Sequence, residues 1–96
     1  MRILLSNDDG IRSPCLRALW RALTGAGHIV DVVAPLVEQS GVGCGVSLHH
    51  PLRLHPVHED DFSGTAVAGT PVDCVKIALT VLLPEAPDLV VSGINN

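Results

Sequence analysis

Ile3-Leu4-Leu5-Ser6-Asn7-Asp8-Asp9-Gly10 is the stretch that decides the fold of this 96-residue chain. Its consecutive aliphatic residues lack period-2 alternation and are typical of a parallel strand buried on both faces. The Asn-Asp-Asp-Gly that follows is turn chemistry and ends the strand. Ligands of open α/β sheets bind just outside the carboxyl ends of the strands, where adjacent carboxylates repel each other unless a cation or a shared proton relieves them. We therefore predict a metal site at Asp8 and Asp9; the alternative is a solvated turn with an N-capping Asp.

A helix is predicted after this turn, with Ser13 as its cap and Pro14 as its first residue. Its apolar stripe consists of Leu16, Leu19, Trp20 and Leu23. Arg17 and Arg21 are predicted to lie away from the stripe and to face water. The β-branched run 29–34 is the second strand, so the sequence predicts a right-handed βαβ unit with parallel strands.

A glycine-rich loop, residues 39–45, follows the second strand. Glycines at alternate positions suit a loop that wraps an anion, although the spacing is wrong for a dinucleotide fingerprint and a plain flexible loop is the alternative. The histidine-rich stretch 47–59 is broken by two prolines and predicts an edge hairpin or an extended arm that reaches a partner subunit. No spacing in it places two histidines on one helix face, so we predict solvent-facing or interface histidines rather than zinc ligands.

A second helix is predicted from the Thr70-Pro71-Val72-Asp73 sequence, a capping box in which Asp replaces the usual Glu. The predicted strand 65–68 precedes this helix. The positive N-terminal end of the helix dipole would favour an anion at the same sheet edge. Its apolar stripe is predicted to be Val72, Val75, Leu79 and Leu82. The run 89–91 reads as a third buried strand, and a turn follows it.

Composition limits the broad class of the protein. The length allows one small domain over residues 1–96, which we predict to be of the α/β class. With 47% hydrophobic and 17% charged residues, the chain is apolar and poor in charge for a soluble domain of this size. The net charge of −4 argues against a nucleic-acid polymer as partner, and no apolar run is long enough for a membrane span. The three separated cysteines predict free thiols in a reducing cytoplasm. Because the predicted sheet ends on a strand without its crossover helix, we expect the N-terminal part of a longer domain.

Three ordered blocks, residues 6–11, 69–75 and 87–95, resemble the SurE family, the stationary-phase survival protein phosphatases. The resemblance implies a Rossmann-like core and a metal-dependent phosphomonoesterase that acts on nucleoside 5′- or 3′-monophosphates. It also implies homodimers or tetramers joined by a swapped arm. Asp8 and Asp9 are the implied catalytic residues. The implied ligands of the divalent metal are Asp8, Asp9, Ser40 and Asn95.

The residue types agree with this chemistry. Carboxylate, hydroxyl and amide oxygens are hard donors that select Mg²⁺ or Mn²⁺ over zinc. The predicted phosphate-binding residues are Gly41, Gly43, Thr70 and Asn96. Two alternatives stay open. One is an aspartyl-phosphate-type phosphatase, although such enzymes place nucleophile and acid at Asp-x-Asp and the pair here is adjacent. The other is a non-catalytic module that binds a nucleotide or a partner protein.

Overall fold

The computed structural model describes residues 1–37 and 53–93. The strands are β1 (Arg2–Ser6), β2 (Ile29–Pro35), β3 (Leu54–Glu59), β4 (Phe62–Val67) and β5 (Leu89–Ser92). The helices are α1 (Pro14–Gly25) and α2 (Pro71–Ile77), and a π-helical turn, Ala78–Leu82, continues α2. Across these two ranges no helix has the length and apolar character needed to span a bilayer.

The strands form one mixed sheet in the order β3-β4-β2-β1-β5. β1 pairs in parallel with β2 and β5, β2 pairs in parallel with β4, and only the edge strand β3 is antiparallel. The predicted α/β Rossmann-like sheet is therefore confirmed. Within the histidine-rich stretch, residues 54–59 form an edge strand as predicted, but its hairpin partner is β4, and residues 47–52 lie outside the described residues. The chain moves outward from β1 to β4 and then returns through α2 to β5 on the other side of β1. Such a reversal is a topological switch point, which places the carboxyl end of β1 where α/β sheets bind ligands.

The sheet carries a helix on each face. On the α1 face the buried core consists of Leu5, Ile11, Leu16, Val32, Ala34, Val57, Phe62 and Ala66. On the α2 face it consists of Leu4, Val33, Val67, Cys74 and Ala78. Alternate residues of β1 serve opposite faces, as its uninterrupted apolar run predicts.

The apolar stripe predicted for the second helix is partly wrong. Cys74 and Ala78 form the fully buried line, whereas Leu79 is 48% exposed. The α-helix ends at Ile77 and the π-helical turn follows, so the regular 3.6-residue spacing does not extend to the end of the segment.

Two strand predictions also need correction. The third strand is not buried: β5 lies at the edge of the described sheet, and Leu89 and Val90 are 47% and 44% exposed. β4 is longer than predicted, because it begins at Phe62 and leaves only Asp60-Asp61 as the hairpin turn. An apolar run does not reveal how many neighbours a strand has, and the polar residues Ser63 and Gly64 do not look like a strand in sequence.

Candidate active site at the carboxyl edge of the sheet

The carboxyl ends of the parallel strands are tied together by backbone hydrogen bonds beyond the regular ladder. The Ile11 N–H donates to the Pro35 carbonyl at 2.8 Å, which joins the segment after β1 to the end of β2. Leu36 donates to Val67 at 2.8 Å and Gly93 donates to Ser6 at 3.0 Å. The segments that follow β1, β2, β4 and β5 therefore leave the sheet side by side.

The turn after β1 is closed by the side chain of Asn7. This side chain is fully buried; its Oδ1 accepts from the Gly10 N–H at 3.2 Å and its Nδ2 donates to the Gly10 carbonyl at 3.0 Å. Gly10 has φ +106, a conformation that disfavours a side chain. Asn7 thus fixes both polar groups of Gly10 and encloses Asp8 and Asp9 in a rigid turn.

Asp8 and Asp9 are half-buried in this turn. The Asp8 Oδ1 atom is buried and makes no hydrogen bond. An ionised carboxylate oxygen without a partner is costly to bury, and buried polar atoms of this kind call for a bound ion or water. A hard divalent cation suits such an oxygen, so the residues present fit the predicted metal.

The other predicted metal ligands and most of the predicted phosphate-binding residues lie in segments that the structure does not describe. Ser40 and Asn95, together with the predicted phosphate-binding residues Gly41, Gly43 and Asn96, lie outside the described residues. Among residues 1–37 and 53–93, no three His, Cys, Asp or Glu side chains are grouped as a metal site. The predicted metal ligands include only two carboxylates, Asp8 and Asp9, and the other two are a Ser and an Asn. A group of three such side chains is therefore not expected, and the metal site stays a prediction.

Thr70 occupies the position predicted for it, at the start of α2. Its N–H donates to Asp73 Oδ2 at 2.9 Å, and its Oγ1 accepts from the Asp73 N–H at 3.2 Å. The predicted capping box is therefore confirmed, with Asp73 fully buried. Because the Thr70 N–H is already bound to Asp73, a phosphate contact by Thr70 remains a prediction that would depend on other atoms.

Cys74 follows Asp73 in α2 and is buried against the sheet. Burial, and then the neighbouring Asp73 carboxylate, raise the pKa of the Cys74 thiol to about 12. Since the thiolate is the reactive form, this cysteine stays protonated at neutral pH and serves as a small core residue.

Sequence reasoning missed two residues of this region. The sequence identifies Asn7 only as part of a turn; the signal that could have found its role is the tendency of Asn side chains to hydrogen-bond to nearby backbone groups in turns. Arg17 was predicted to face water, and this is wrong: its side chain is only 16% exposed and bonds to the Ile11 carbonyl and Glu59. No local signal predicts these contacts of Arg17, because Glu59 is 42 residues away in the sequence.

Comparisons with known proteins match almost the whole of this chain. A family model described as "Survival protein SurE" matches residues 3–96. A curated 5′-nucleotidase SurE of Desulfovibrio desulfuricans is 59% identical over 95 residues, which is 99% of this chain and 37% of that protein. Its counterpart in Maridesulfovibrio salexigens is 59% identical over 96 residues, which is 100% of this chain and 38% of that protein.

A solved structure shows the same fold. The SurE protein from Aquifex aeolicus matches with a TM-score of 0.83 at 43% identity, over 99% of this chain and 38% of that one. The chain thus spans a little over a third of the length of the relatives that it matches.

Proposed function

The chain belongs to the SurE family, and on that premise we propose that the intact protein is a metal-dependent phosphomonoesterase. Its proposed substrates are nucleoside 5′-monophosphates, and 3′-monophosphates as a secondary class. The name 5′-nucleotidase carried by the relatives supports the substrate class. The observation that carries the metal dependence is the buried Asp8 oxygen without a hydrogen bond, at the switch point of the sheet.

The chemistry that a bound divalent cation supplies is electrostatic: it polarises the phosphoryl group and makes the attacking water more acidic. The Asp8 and Asp9 carboxylates would hold the cation. The reciprocal hydrogen bonds between Asn7 and Gly10 close the backbone of the turn that carries both carboxylates and oppose its opening under their repulsion. The enzyme therefore does not need to reorganise this turn during the reaction.

Recognition of the base is expected to be weak in this part of the protein. The chain has one Trp, one Phe and no Tyr. Trp20 and Phe62 pack edge to face with their ring centroids 5.1 Å apart in the α1 core. Both aromatic rings of the described residues are therefore engaged in core packing.

The test is phosphate release by the intact protein from AMP, GMP and a simple aryl phosphate, with and without EDTA. We expect turnover of the three substrates to agree within about an order of magnitude, ~1.4 kcal/mol in activation free energy. We expect EDTA to stop all three reactions together and Mn²⁺ or Mg²⁺ to restore them. Phosphate release that continues equally in excess EDTA would contradict the proposal, and a trapped phosphoenzyme would favour the aspartyl-phosphate mechanism instead.

A further inference from the structure

The guanidinium of Arg17 in α1 makes three contacts: two hydrogen bonds and one stacking contact with an aromatic ring. The Nε donates to the Ile11 carbonyl at 3.0 Å, and one terminal nitrogen lies 2.9 Å from Glu59 Oε1. The guanidinium carbon also lies 3.8 Å from the centroid of the Phe62 ring. Arginine is suited to this arrangement, because its planar group can donate in the plane and stack through its face. These contacts connect α1, the β3–β4 hairpin and the segment after β1.

The Ile11 contact is the one that reaches the candidate active site. Ile11 follows Gly10 directly and is fully buried. Its N–H donates to the Pro35 carbonyl and its carbonyl accepts from Arg17, so both of its backbone polar groups are held. At the other end of the turn, Asn7 holds Gly10. The pair Asp8-Asp9 is therefore fixed from one side by Asn7 and from the other by Ile11.

We propose that Arg17 is a positioning residue for the Asp8-Asp9 turn, acting through the Ile11 carbonyl and anchored by the β3–β4 hairpin. Its Nε is bound to Ile11 and one terminal nitrogen to Glu59, so we assign Arg17 to the support of the turn and not to contact with the substrate. The consequence for metal binding rests on the proposed function, whereas the consequence for the rigidity of the turn does not. Through Arg17, the end of the hairpin at Glu59 and Phe62 becomes part of the support of the active site.

The test compares three variants of the intact protein: Arg17→Ala, Arg17→Lys and, as a matched control, Arg21→Ala. Arg21 is on the same helix, one turn further on, and is exposed, so its removal makes the same charge change without loss of the Ile11 contact. The first measurement is hydrogen exchange of the Ile11 amide in the absence of metal. The second is the affinity for Mn²⁺ by calorimetry.

We expect Arg17→Ala to speed exchange of the Ile11 amide about tenfold, through local opening, while the amides of β1 keep their protection. The Mn²⁺ affinity should fall about tenfold, the usual range for loss of a group that orients a ligand. Arg17→Lys keeps the charge near Glu59 without the planar fork and should lie between the wild type and Arg17→Ala. Arg21→Ala should match the wild type in both measurements.

Several results would overturn the proposal. One is Ile11 exchange in Arg17→Ala equal to that in Arg21→Ala. Another is faster exchange throughout β1 and α2, which would make Arg17 a general stability residue. Full recovery in Arg17→Lys would show that charge alone suffices. By contrast, a wild type that binds no Mn²⁺, with Ile11 exchange still accelerated in Arg17→Ala, would remove the proposed function and leave the positioning role supported.

Discussion

The chain contains the dipeptide Asp-Asp twice in turns, and the two copies lie in opposite surroundings. Asp8-Asp9 follows a buried parallel strand at the centre of the sheet, is half-buried and includes a carboxylate oxygen without a hydrogen bond. Asp60-Asp61 joins β3 to β4 at the edge of the sheet, and both residues are exposed. The same dipeptide thus occurs in a half-buried turn, where we propose a metal site, and in an exposed turn.

The difference comes from what surrounds each pair. The first turn is closed by the buried Asn7 side chain and lies among the ends of several parallel strands. The second turn has strand neighbours on one side only, and Asp60 adopts a left-handed conformation with φ +53. A carboxylate pair gains affinity for a cation when the protein removes water and fixes the geometry, and only the first turn does both.

The largest expected effect is on metal affinity. Asp8→Asn keeps the size of the side chain and removes the charge that attracts the cation. We expect the Mn²⁺ affinity of the intact protein to fall at least about a hundredfold, ~2.7 kcal/mol, by calorimetry. Asp60→Asn is the matched control and should leave the affinity unchanged. Equal losses in both variants would mean that the comparison between the turns is wrong and that Mn²⁺ responds to total charge.

The next effect is on stability. Asn7→Ala removes both side-chain hydrogen bonds to Gly10. It leaves the Gly10 N–H buried without a partner, whereas the Gly10 carbonyl keeps its hydrogen bond from the Ser13 N–H at 3.1 Å. The free energy of unfolding should fall by about 2 kcal/mol, measured by denaturant titration. Asp61→Ala in the exposed turn should change it by less than about 0.5 kcal/mol. A similar small change for Asn7→Ala would show that water replaces the side chain and that the first turn is not rigid.

The sequence predicts the sheet better than it predicts the side-chain contacts of the site. The helix starts illustrate this, since both carry a hydroxyl residue before proline. Thr70 caps α2 in a reciprocal pair of hydrogen bonds with Asp73, the third helical residue. Ser13 occupies the cap position of α1, but its buried hydroxyl makes no side-chain cap bond. The position of a helix start is local information, whereas the use of its side chain depends on packing.

The remaining errors have a non-local cause. Arg17 looks like a surface residue on a helical wheel, and the hairpin that covers it comes from a distant part of the chain. The exposed β5 looks buried because its residues are apolar. The position of Asp8 and Asp9 in a turn at the carboxyl end of a central strand could be predicted, because the strand, the turn and the carboxylates are contiguous in sequence. Asn7 belongs to the same stretch, but its role depends on the exact closure of the turn.

A smaller effect is expected in the exposed turn itself. Asp60→Gly places a residue without Cβ at the left-handed position, which favours the folded hairpin, while the more flexible unfolded chain opposes it. We expect a net gain of about 0.5 kcal/mol in the free energy of unfolding, with unchanged Mn²⁺ affinity. The measurement is again denaturant titration. A loss of Mn²⁺ affinity in this variant would show that the hairpin turn is coupled to the Asp8-Asp9 turn through the backbone and not through Arg17 alone.

The smallest effect is a pH dependence at the end of the hairpin. The hydrogen bond from Arg17 lowers the pKa of the Glu59 carboxyl below its ordinary value of 4.5. Because the pKa in the folded state is the lower one, the stabilisation is fully present above about pH 4.5 and is lost as the pH falls through the folded-state pKa. Glu59→Gln should therefore differ from the wild type in stability at pH 6 and converge with it at the acid end of the titration. The difference should be small, because Glu59 is exposed and its ion pair is screened by water.

The same pH range tests whether the Arg17 contact supports the Asp8-Asp9 turn. If it does, exchange of the Ile11 amide in the wild type should accelerate as the Glu59 carboxylate is protonated. The Glu59→Gln variant lacks this carboxylate and should not show that acceleration. The exchange rate of the Ile11 amide is first corrected for the pH dependence of the intrinsic exchange rate. If the corrected rate does not change over this pH range in either protein, the hairpin does not support the Asp8-Asp9 turn.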